Sequence, residues 1–221
     1  MHFEILIEDV SGKQLLDILV PKIIDTEKNT FRIINYKGMG RLPNDLRTTQ
    51  DPAKRILLEQ LPRLLRGYGR SFVSINHVII IIVDCDARNC KLFKHELNDV
   101  LKQCNPKPNT FFRIAIEEIE AWLLGDSTAI QNAYPNMDNR EYGTYRQDSI
   151  IGTWEKLADI TLPSKTAKML KKAAFHEVGR QKTKWAQNIG IFMNINNNVS
   201  PSFNCFKQKL EELAKKGSFD A

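Results

Sequence analysis

The sequence has little cysteine, and its cysteines are not arranged as a metal site. No Cys-x-x-Cys pair and no histidines at zinc-binding spacing accompany the four residues, which are Cys85, Cys90, Cys104 and Cys205. A chain of 221 residues can bury a sizeable core without disulfides. We therefore expect reduced cysteines in a cytoplasmic protein, and the pattern argues against a zinc finger or a disulfide-stabilised fold.

Long apolar runs are missing as well. No segment approaches the roughly 18 uninterrupted apolar residues that a membrane-spanning helix requires. The opening MHFEILIEDVSG carries acids within its first ten residues and lacks the basic flank and long apolar core of a signal peptide. We expect neither a membrane span nor a secretion signal.

Charge of one sign does not dominate the composition. The 32 Lys and Arg residues face 26 Asp and Glu residues, which gives a formal net charge of +6. This modest excess permits a polyanionic partner such as nucleic acid but does not identify one. The four histidines are scattered and stand beside no serine or cysteine nucleophile motif, so the sequence does not indicate a hydrolase of that kind.

What the sequence does contain is a very apolar stretch that ends in acids. In VIIIIVDCDARNC (78–90) the apolar residues show no polar alternation, which is typical of a strand buried on both faces of a parallel sheet. Strands are predicted at 3–8, 31–37, 77–84 and 111–116, and helices at 13–24, from Asp51-Pro52 onward, at about 88–103 and at 117–126, with a loop at 38–51. This alternation predicts an α/β fold with a mostly parallel sheet flanked by helices.

The pattern changes beyond about residue 135. No strong strand appears there, and Lys-rich helical segments dominate. We therefore predict an α/β core at 1–135 and a helical C-terminal region at 136–221 that packs on the core. Ser200 and Pro201 are typical of the first positions of a helix. The apolar residues expected to face inward from this last helix are Phe203, Phe206 and Leu210.

Three pairs of acids follow predicted strands, at the sheet edge where α/β folds collect ligands. Carboxylates crowded at one edge raise one another's pKa, so they are tolerated chiefly where a hard cation neutralises them. An Asp-x-Asp pair suits Mg²⁺, or Mn²⁺, because such ions take oxygen ligands and keep several waters. The pairs are Glu8 with Asp9, Asp84 with Asp86, and Glu118 with Glu120.

Each pair also has a purely structural interpretation. Asp86 precedes a predicted helix and could serve as its N-cap. Helical geometry would place Trp122 with the apolar side of its helix and leave Glu117 and Glu120 on a solvated face. Sequence spacing alone does not decide between these interpretations and a metal site.

Basic residues occur where they could contact phosphate groups. Lys37 and Arg41 flank the glycines of YKGMGRL, whose spacing does not match a P-loop and which a turn explains more simply. Lys165 and Lys168 lie on one predicted helical stripe, and Lys182 follows nearby. These five residues are predicted nucleic-acid contacts, although a solvated basic face is the simpler interpretation of any single lysine.

Several of these motifs resemble those of TOPRIM domains. ILIEDVSGKQLLDIL resembles their opening strand and helix, and IIIIVDCDA resembles their Asp-x-Asp strand. More narrowly, nearly the whole chain resembles a prokaryotic TOPRIM-like family catalogued as domain of unknown function 4276. The segments that carry this resemblance are YKGMGRL, VDCD, AIEEIEAWLLGD, KTKWAQNIG and NVSPSFNCF.

The resemblance implies a nuclease that cleaves phosphodiester bonds with Mg²⁺. Glu8 would act as acid/base or ligand, and Asp84 and Asp86 would hold the ion. It also implies an ATPase partner in a prokaryotic defence or mobile-element system. The further ligands that it implies are Glu118, Glu120 and Asp126.

Two positions depart from the family pattern. Asp9 stands where glycine usually follows the first glutamate, and Gly12 stands where an acid commonly follows the serine. The first change either crowds the metal or adds a ligand, and the second removes a carboxylate for a second metal.

Three hypotheses of function remain from the sequence. The first is the Mg²⁺-dependent nuclease. The second is an inactive TOPRIM module that binds nucleic acid or a partner. The third is a haloacid-dehalogenase-like phosphatase, because that fold also places Asp-x-Asp after an apolar strand, with the first aspartate as nucleophile. This third hypothesis ranks last because DCDARN lacks the usual Gly-Thr and the strand is not N-terminal.

Overall fold

Four parallel strands form the sheet at the centre of the protein. The computed structural model describes residues 1–45, 51–72, 76–116, 118–149 and 151–216. The strand order is β2-β1-β3-β4, and all neighbouring pairs are parallel. The strands are β1 (His2–Ile7), β2 (Thr30–Asn35), β3 (His77–Asp84) and β4 (Thr110–Ala115). This confirms the predicted α/β fold and all four predicted strands.

Helices cover both faces of the sheet and make up the C-terminal part of the described chain, as predicted. No described helix is both long and apolar enough to cross a bilayer. The helices are α1 (Val10–Ile23), α2 (Leu57–Ser71), α3 (Cys90–Lys102), α4 (Glu120–Leu124), α5 (Ser127–Ala133), α6 (Asn139–Gly143), α7 (Thr153–Thr161), α8 (Ser164–Leu170), α9 (Phe175–Gly190) and α10 (Pro201–Lys216).

Two apolar clusters bury the two faces of the sheet. Residues of β1 and β3 alternate between them, which is why β3 reads as one unbroken apolar run. The first cluster joins the sheet to α1 and to the C-terminal helices, including α9 and α10. The second joins it to α2 and α3. The helical residues after 135 thus pack on the α/β core, and the division of the chain at 135 stays a prediction.

The direction of chain winding reverses between β1 and β3. From β1 the chain moves to β2 on one side, and then crosses to the other side of β1 to form β3. In open α/β sheets such a switch point opens a crevice outside the carboxyl ends of the strands, where ligands bind. Ile7, the last residue of β1, pairs with Ile82, and β3 ends two residues later at Asp84, so Glu8 and Asp84 stand at neighbouring strand ends.

Three predicted helix boundaries differ from the structure. Asp51 caps only a short 3-10 turn, Pro52–Lys54, because Arg55 follows with a positive φ of 53° that no right-handed helix can continue. The first helix, predicted at 13–24, begins earlier, at Val10, and runs through Pro21 to Ile23.

The predicted helix at 117–126 is a single short helix, α4. It ends at Leu124, and Asp126 caps the next helix, α5. Glu117 and residues 46–50 of the predicted loop lie outside the described residues.

Candidate functional site

Buried acids from three parts of the chain meet at the carboxyl edge of the sheet. Glu8 follows β1, Asp84 ends β3, and Glu118 and Glu120 stand at the start of α4, just after β4. Asp84 is 8% exposed and Glu120 is 2% exposed. Lys182, from the middle of α9, reaches into the same group. We call these five residues the acidic cluster.

Glu8 and Asp84 form the centre of the acidic cluster. The two carboxyl groups lie close enough to affect each other's pKa. Burial, reinforced by the charges of Asp9 and Asp86, raises the pKa of Glu8 to about 7. Burial and the charge of Glu8 raise the pKa of Asp84 well above its usual range. Glu8 Oε2 is buried and has no hydrogen-bond partner.

Glu120 is part of the interior and does not lie on a solvated face. Its burial raises its pKa to about 8, although the nearby ammonium of Lys182 opposes the shift. Glu120 Oε2 is buried and makes no hydrogen bond. The structural interpretation of Glu120 from helical spacing was therefore wrong.

Lys182 supplies the positive charge of the acidic cluster. Its Nζ lies 2.7 Å from Glu118 Oε1 and 3.3 Å from Glu120 Oε2, and its side chain is 13% exposed. Burial alone would lower the pKa of Lys182, but the charges of Glu120, Glu118 and Asp84 outweigh burial and raise it. Thr153 Oγ1 also donates to Glu118 Oε2, at 3.3 Å. The side chain of Glu118 is thus held on both oxygens.

Asp86 lies at the rim of the acidic cluster. It is exposed and takes a positive φ of 48°, in the turn that follows β3. Its charge contributes to the raised pKa of Glu8, so the two carboxylates are close. The N-cap of α3 is Asn89, which accepts hydrogen bonds from the amides of Lys91 and Leu92, so Asp86 is not that cap.

Two other acids are helix caps. Asp9 accepts hydrogen bonds from Gly12 N at 2.7 Å and from Ser11 Oγ at 2.6 Å, and it starts α1. A Cβ on Gly12 would lie 2.4 Å from Ile7 Cδ1, so the close approach of helix and strand leaves no room for a side chain there. Asp126 caps α5 and also accepts from Asn194 N, which accounts for both of its oxygens.

The predicted phosphate contacts Lys37 and Arg41 lie in the loop that follows β2. Gly38 N donates to the backbone oxygen of Glu8 at 2.8 Å, so this loop is tied to the acidic cluster. Both basic side chains are exposed. Arg41 also lines a groove of about 400 Å³ with Arg88 and Phe93.

The other three predicted nucleic-acid contacts separate into two groups. Lys165 and Lys168 are exposed on α8, which packs against α7. Lys182 instead enters the acidic cluster. Sequence analysis missed this placement of Lys182, and it did not single out Thr153.

One signal could have identified Lys182. It lies on the apolar stripe of α9 that is formed with Val178, Trp185 and Ile189 and that packs inward. A lysine at such a position needs a buried anionic partner.

The donor set of the acidic cluster fits a hard divalent cation. All its donors are carboxylate oxygens; Glu8 Oε2 is buried without a hydrogen-bond partner, and Glu120 Oε2 is buried with the ammonium of Lys182 at 3.3 Å. Mg²⁺ needs only one or two protein carboxylates because it keeps several waters, so Glu8 and Asp84 suffice. Among the described residues no three His, Cys, Asp or Glu side chains form a ready metal site. A carboxylate of α4 would therefore join only after Lys182 releases it.

Comparison with known proteins gives one match. Residues 7–211 match the family described as Domain of unknown function (DUF4276). No curated protein and no solved structure is significantly similar to the chain.

Proposed function

The chain belongs to the family described as a domain of unknown function, DUF4276, and from its acidic cluster we propose that it is a Mg²⁺-dependent, TOPRIM-type nuclease that hydrolyses phosphodiester bonds in the prokaryotic cytoplasm. One observation carries this proposal. Glu8 and Asp84 lie close together in a buried position at the switch point of the sheet, and one carboxylate oxygen of Glu8 has no hydrogen-bond partner.

The cost of this arrangement supports a functional role. Burying carboxyl groups next to one another raises their pKa values and destabilises their charged forms. Such perturbed groups in a crevice are more often found at functional sites than in an ordinary core. A divalent cation at Glu8 and Asp84 would favour the charged form of both groups and offset this cost.

The residues of the acidic cluster have distinct roles in the proposed reaction. Glu8 and Asp84 would hold the ion, with Asp86 at the rim. When bound, Mg²⁺ polarises the phosphate and lowers the pKa of water. As an alternative to binding the ion, Glu8 would act as general acid or base, because its pKa of about 7 in the metal-free protein allows proton transfer near neutral pH. Lys37 and Arg41 would hold neighbouring phosphates.

The experiment is a cleavage assay on supercoiled DNA, single-stranded DNA and RNA, with Mg²⁺ or Mn²⁺ and with EDTA. We expect the wild type to cleave at least one of these substrates with metal, and we expect Asp84→Asn to lose at least a hundredfold in rate. Asp99→Asn, an exposed acid on α3, is the matched control and should keep wild-type activity. Equal rates for wild type and Asp84→Asn would remove the acidic cluster from the mechanism.

A second function is favoured by Lys182. Its ammonium already neutralises Glu118 and Glu120, as it would in an inactive module that binds nucleic acid or, by family analogy, an ATPase partner. Calorimetric titration with Mn²⁺ separates the two proposals. Binding of Mn²⁺ that is lost in Asp84→Asn supports the nuclease, whereas tight metal-independent binding of nucleic acid without turnover supports the module. Release of phosphate from an aryl phosphate would instead favour the phosphatase hypothesis.

A further inference from the structure

Phe175, the first residue of α9, is almost completely exposed. Its side chain is 92% exposed, the largest value among the exposed large apolar residues of the described chain. A phenylalanine in this position contributes little to the core, and exposing its apolar ring to water is unfavourable in free energy. The neighbouring Met169, at the end of α8, is 65% exposed.

Phe175 lies on the face of α9 that leads to the acidic cluster. Seven residues separate it from Lys182, which is about 20° short of two full helical turns and about 10 Å along the helix axis. Val178, between them on this face, is buried against the body of the protein. Phe175 is therefore an exposed residue at the start of α9, in helical register with the lysine that enters the acidic cluster.

The charge around Phe175 is strongly positive. Residues 164–184 contain seven Lys and Arg but only one acid, Glu177. Lys171 is paired with Asp159, and Lys182 with Glu118. The remaining basic residues of this segment are exposed; they are Lys165, Lys168, Lys172, Arg180 and Lys184.

We propose that Phe175 is a platform on which an unpaired base stacks, and that its ligand is single-stranded nucleic acid whose phosphates lie along the exposed basic residues of 164–184. Aromatic rings beside a basic surface bind single strands in this way, because every base presents a π-face and the phosphates supply affinity. A duplex keeps its bases stacked, so the ring has no face to contact. The positive charge around Phe175 favours a polyanionic ligand over an uncharged apolar protein surface.

As a statement about the substrate, this inference rests on the proposed nuclease function. The nuclease would select single-stranded or unwound segments of its substrate. The base stacked on Phe175 would lie about two helical turns from Lys182. As a statement about binding, it can be tested without turnover.

The experiment measures binding of fluorescently labelled 12-residue oligonucleotides in EDTA, at one fixed salt concentration. We expect Phe175→Ala to weaken binding of a single strand by roughly tenfold and to change binding of a blunt duplex little. Phe175→Trp should retain affinity, and its added fluorescence should be quenched by the single strand. The matched control is Leu92→Ala, because Leu92 is 63% exposed and lies between the exposed Lys91 and Lys94 on α3. It should bind as the wild type does.

The outcomes separate this inference from the proposed function. If Phe175→Ala binds single strands as tightly as the wild type, or loses duplex binding equally, the platform is overturned, whatever the cleavage assay shows. If the wild type binds no single strand, or if Phe175→Ala only converts a dimer to a monomer, it is overturned as well. Selective loss of single-strand binding supports it, even in a protein that cleaves nothing. Circular dichroism checks that each variant is folded.

Discussion

At the residue scale, Lys182 is the counter-ion that makes the acidic cluster tolerable. Its ammonium contacts Glu118 and Glu120, and its charge also opposes the pKa shifts of Glu8 and Asp84. Removing one partner of a buried ion pair leaves the other charge uncompensated, which costs far more than the loss of an exposed pair. In the proposed nuclease, a divalent ion would supply positive charge that Lys182 supplies in the metal-free protein.

This role predicts the effect of Lys182→Met. We expect the substitution to lower the free energy of unfolding by about 3 to 5 kcal/mol in EDTA, measured by urea denaturation. Mg²⁺ or Mn²⁺ should restore part of this loss, because the released carboxylates become available to the ion. Lys171→Met, which breaks the partly exposed pair with Asp159, should cost less than about 1 kcal/mol. Equal losses in the two variants would contradict this role.

At the element scale, α4 is fixed by the start of α10. Trp122 Nε1 donates to Ser202 Oγ at 3.0 Å, and both residues are buried. Asp148 accepts from Ser202 N at 2.7 Å and from Ser200 Oγ at 3.0 Å. The two sequence motifs Glu-x-Glu-Ala-Trp and Ser-Pro-Ser-Phe therefore contact each other, and this contact sets the position of Glu120.

A change at this contact should affect both stability and the site. Ser202→Ala leaves the buried indole N–H of Trp122 without its partner, so we expect a loss of about 1 to 3 kcal/mol in the free energy of unfolding. We also expect weaker Mn²⁺ binding in calorimetry, since α4 carries Glu120 and directly follows Glu118. Ser164→Ala, at the exposed start of α8, should change neither quantity measurably. Wild-type stability in Ser202→Ala would show that the contact does not hold α4.

The sequence predicts elements well where the signal is local. The strands are all found, because their apolar runs are long and the helices between them have clear spacing. Arginine has no preference for positive φ, so the sequence does not indicate the positive φ of Arg55. The start of α2 after this residue was therefore not predicted.

The burial of Glu120 could not be predicted from its neighbours. The covering lysine arrives from α9, about sixty positions later in the chain, and no local pattern connects them. The convergence of Glu8 and Asp84 was predictable, because both follow parallel strands.

At the scale of the whole molecule, folding brings together residues from position 8 to position 182 and thereby changes how many protons the chain binds. Burial raises the pKa of Glu8 from 4.5 to about 7 and that of Glu120 from 4.5 to about 8. At pH values between 4.5 and these raised pKa values, the folded protein binds more protons than the unfolded chain. Stability from these groups is therefore fully present below pH 4.5 and is lost as pH rises through about 7 and 8.

The metal-free protein should accordingly become less stable from pH 5 to pH 8. We expect the free energy of unfolding to fall by several kcal/mol over this range, measured by urea denaturation in EDTA. Glu120→Gln, which cannot ionise, should flatten the profile. A stability that rises steadily over the same range would mean that these carboxyl groups ionise freely in the folded state.

The register of β1 with β3 restricts how the gene can change length. Ile7 stands opposite Ile82, and this register places Glu8 and Asp84 at the neighbouring ends of β1 and β3. One codon inserted within either strand would rotate everything beyond it by half a turn and send Glu8 or Asp84 to the opposite side. Related chains should therefore gain and lose codons between the strands and keep the spacing within them constant, even where every apolar residue has been exchanged.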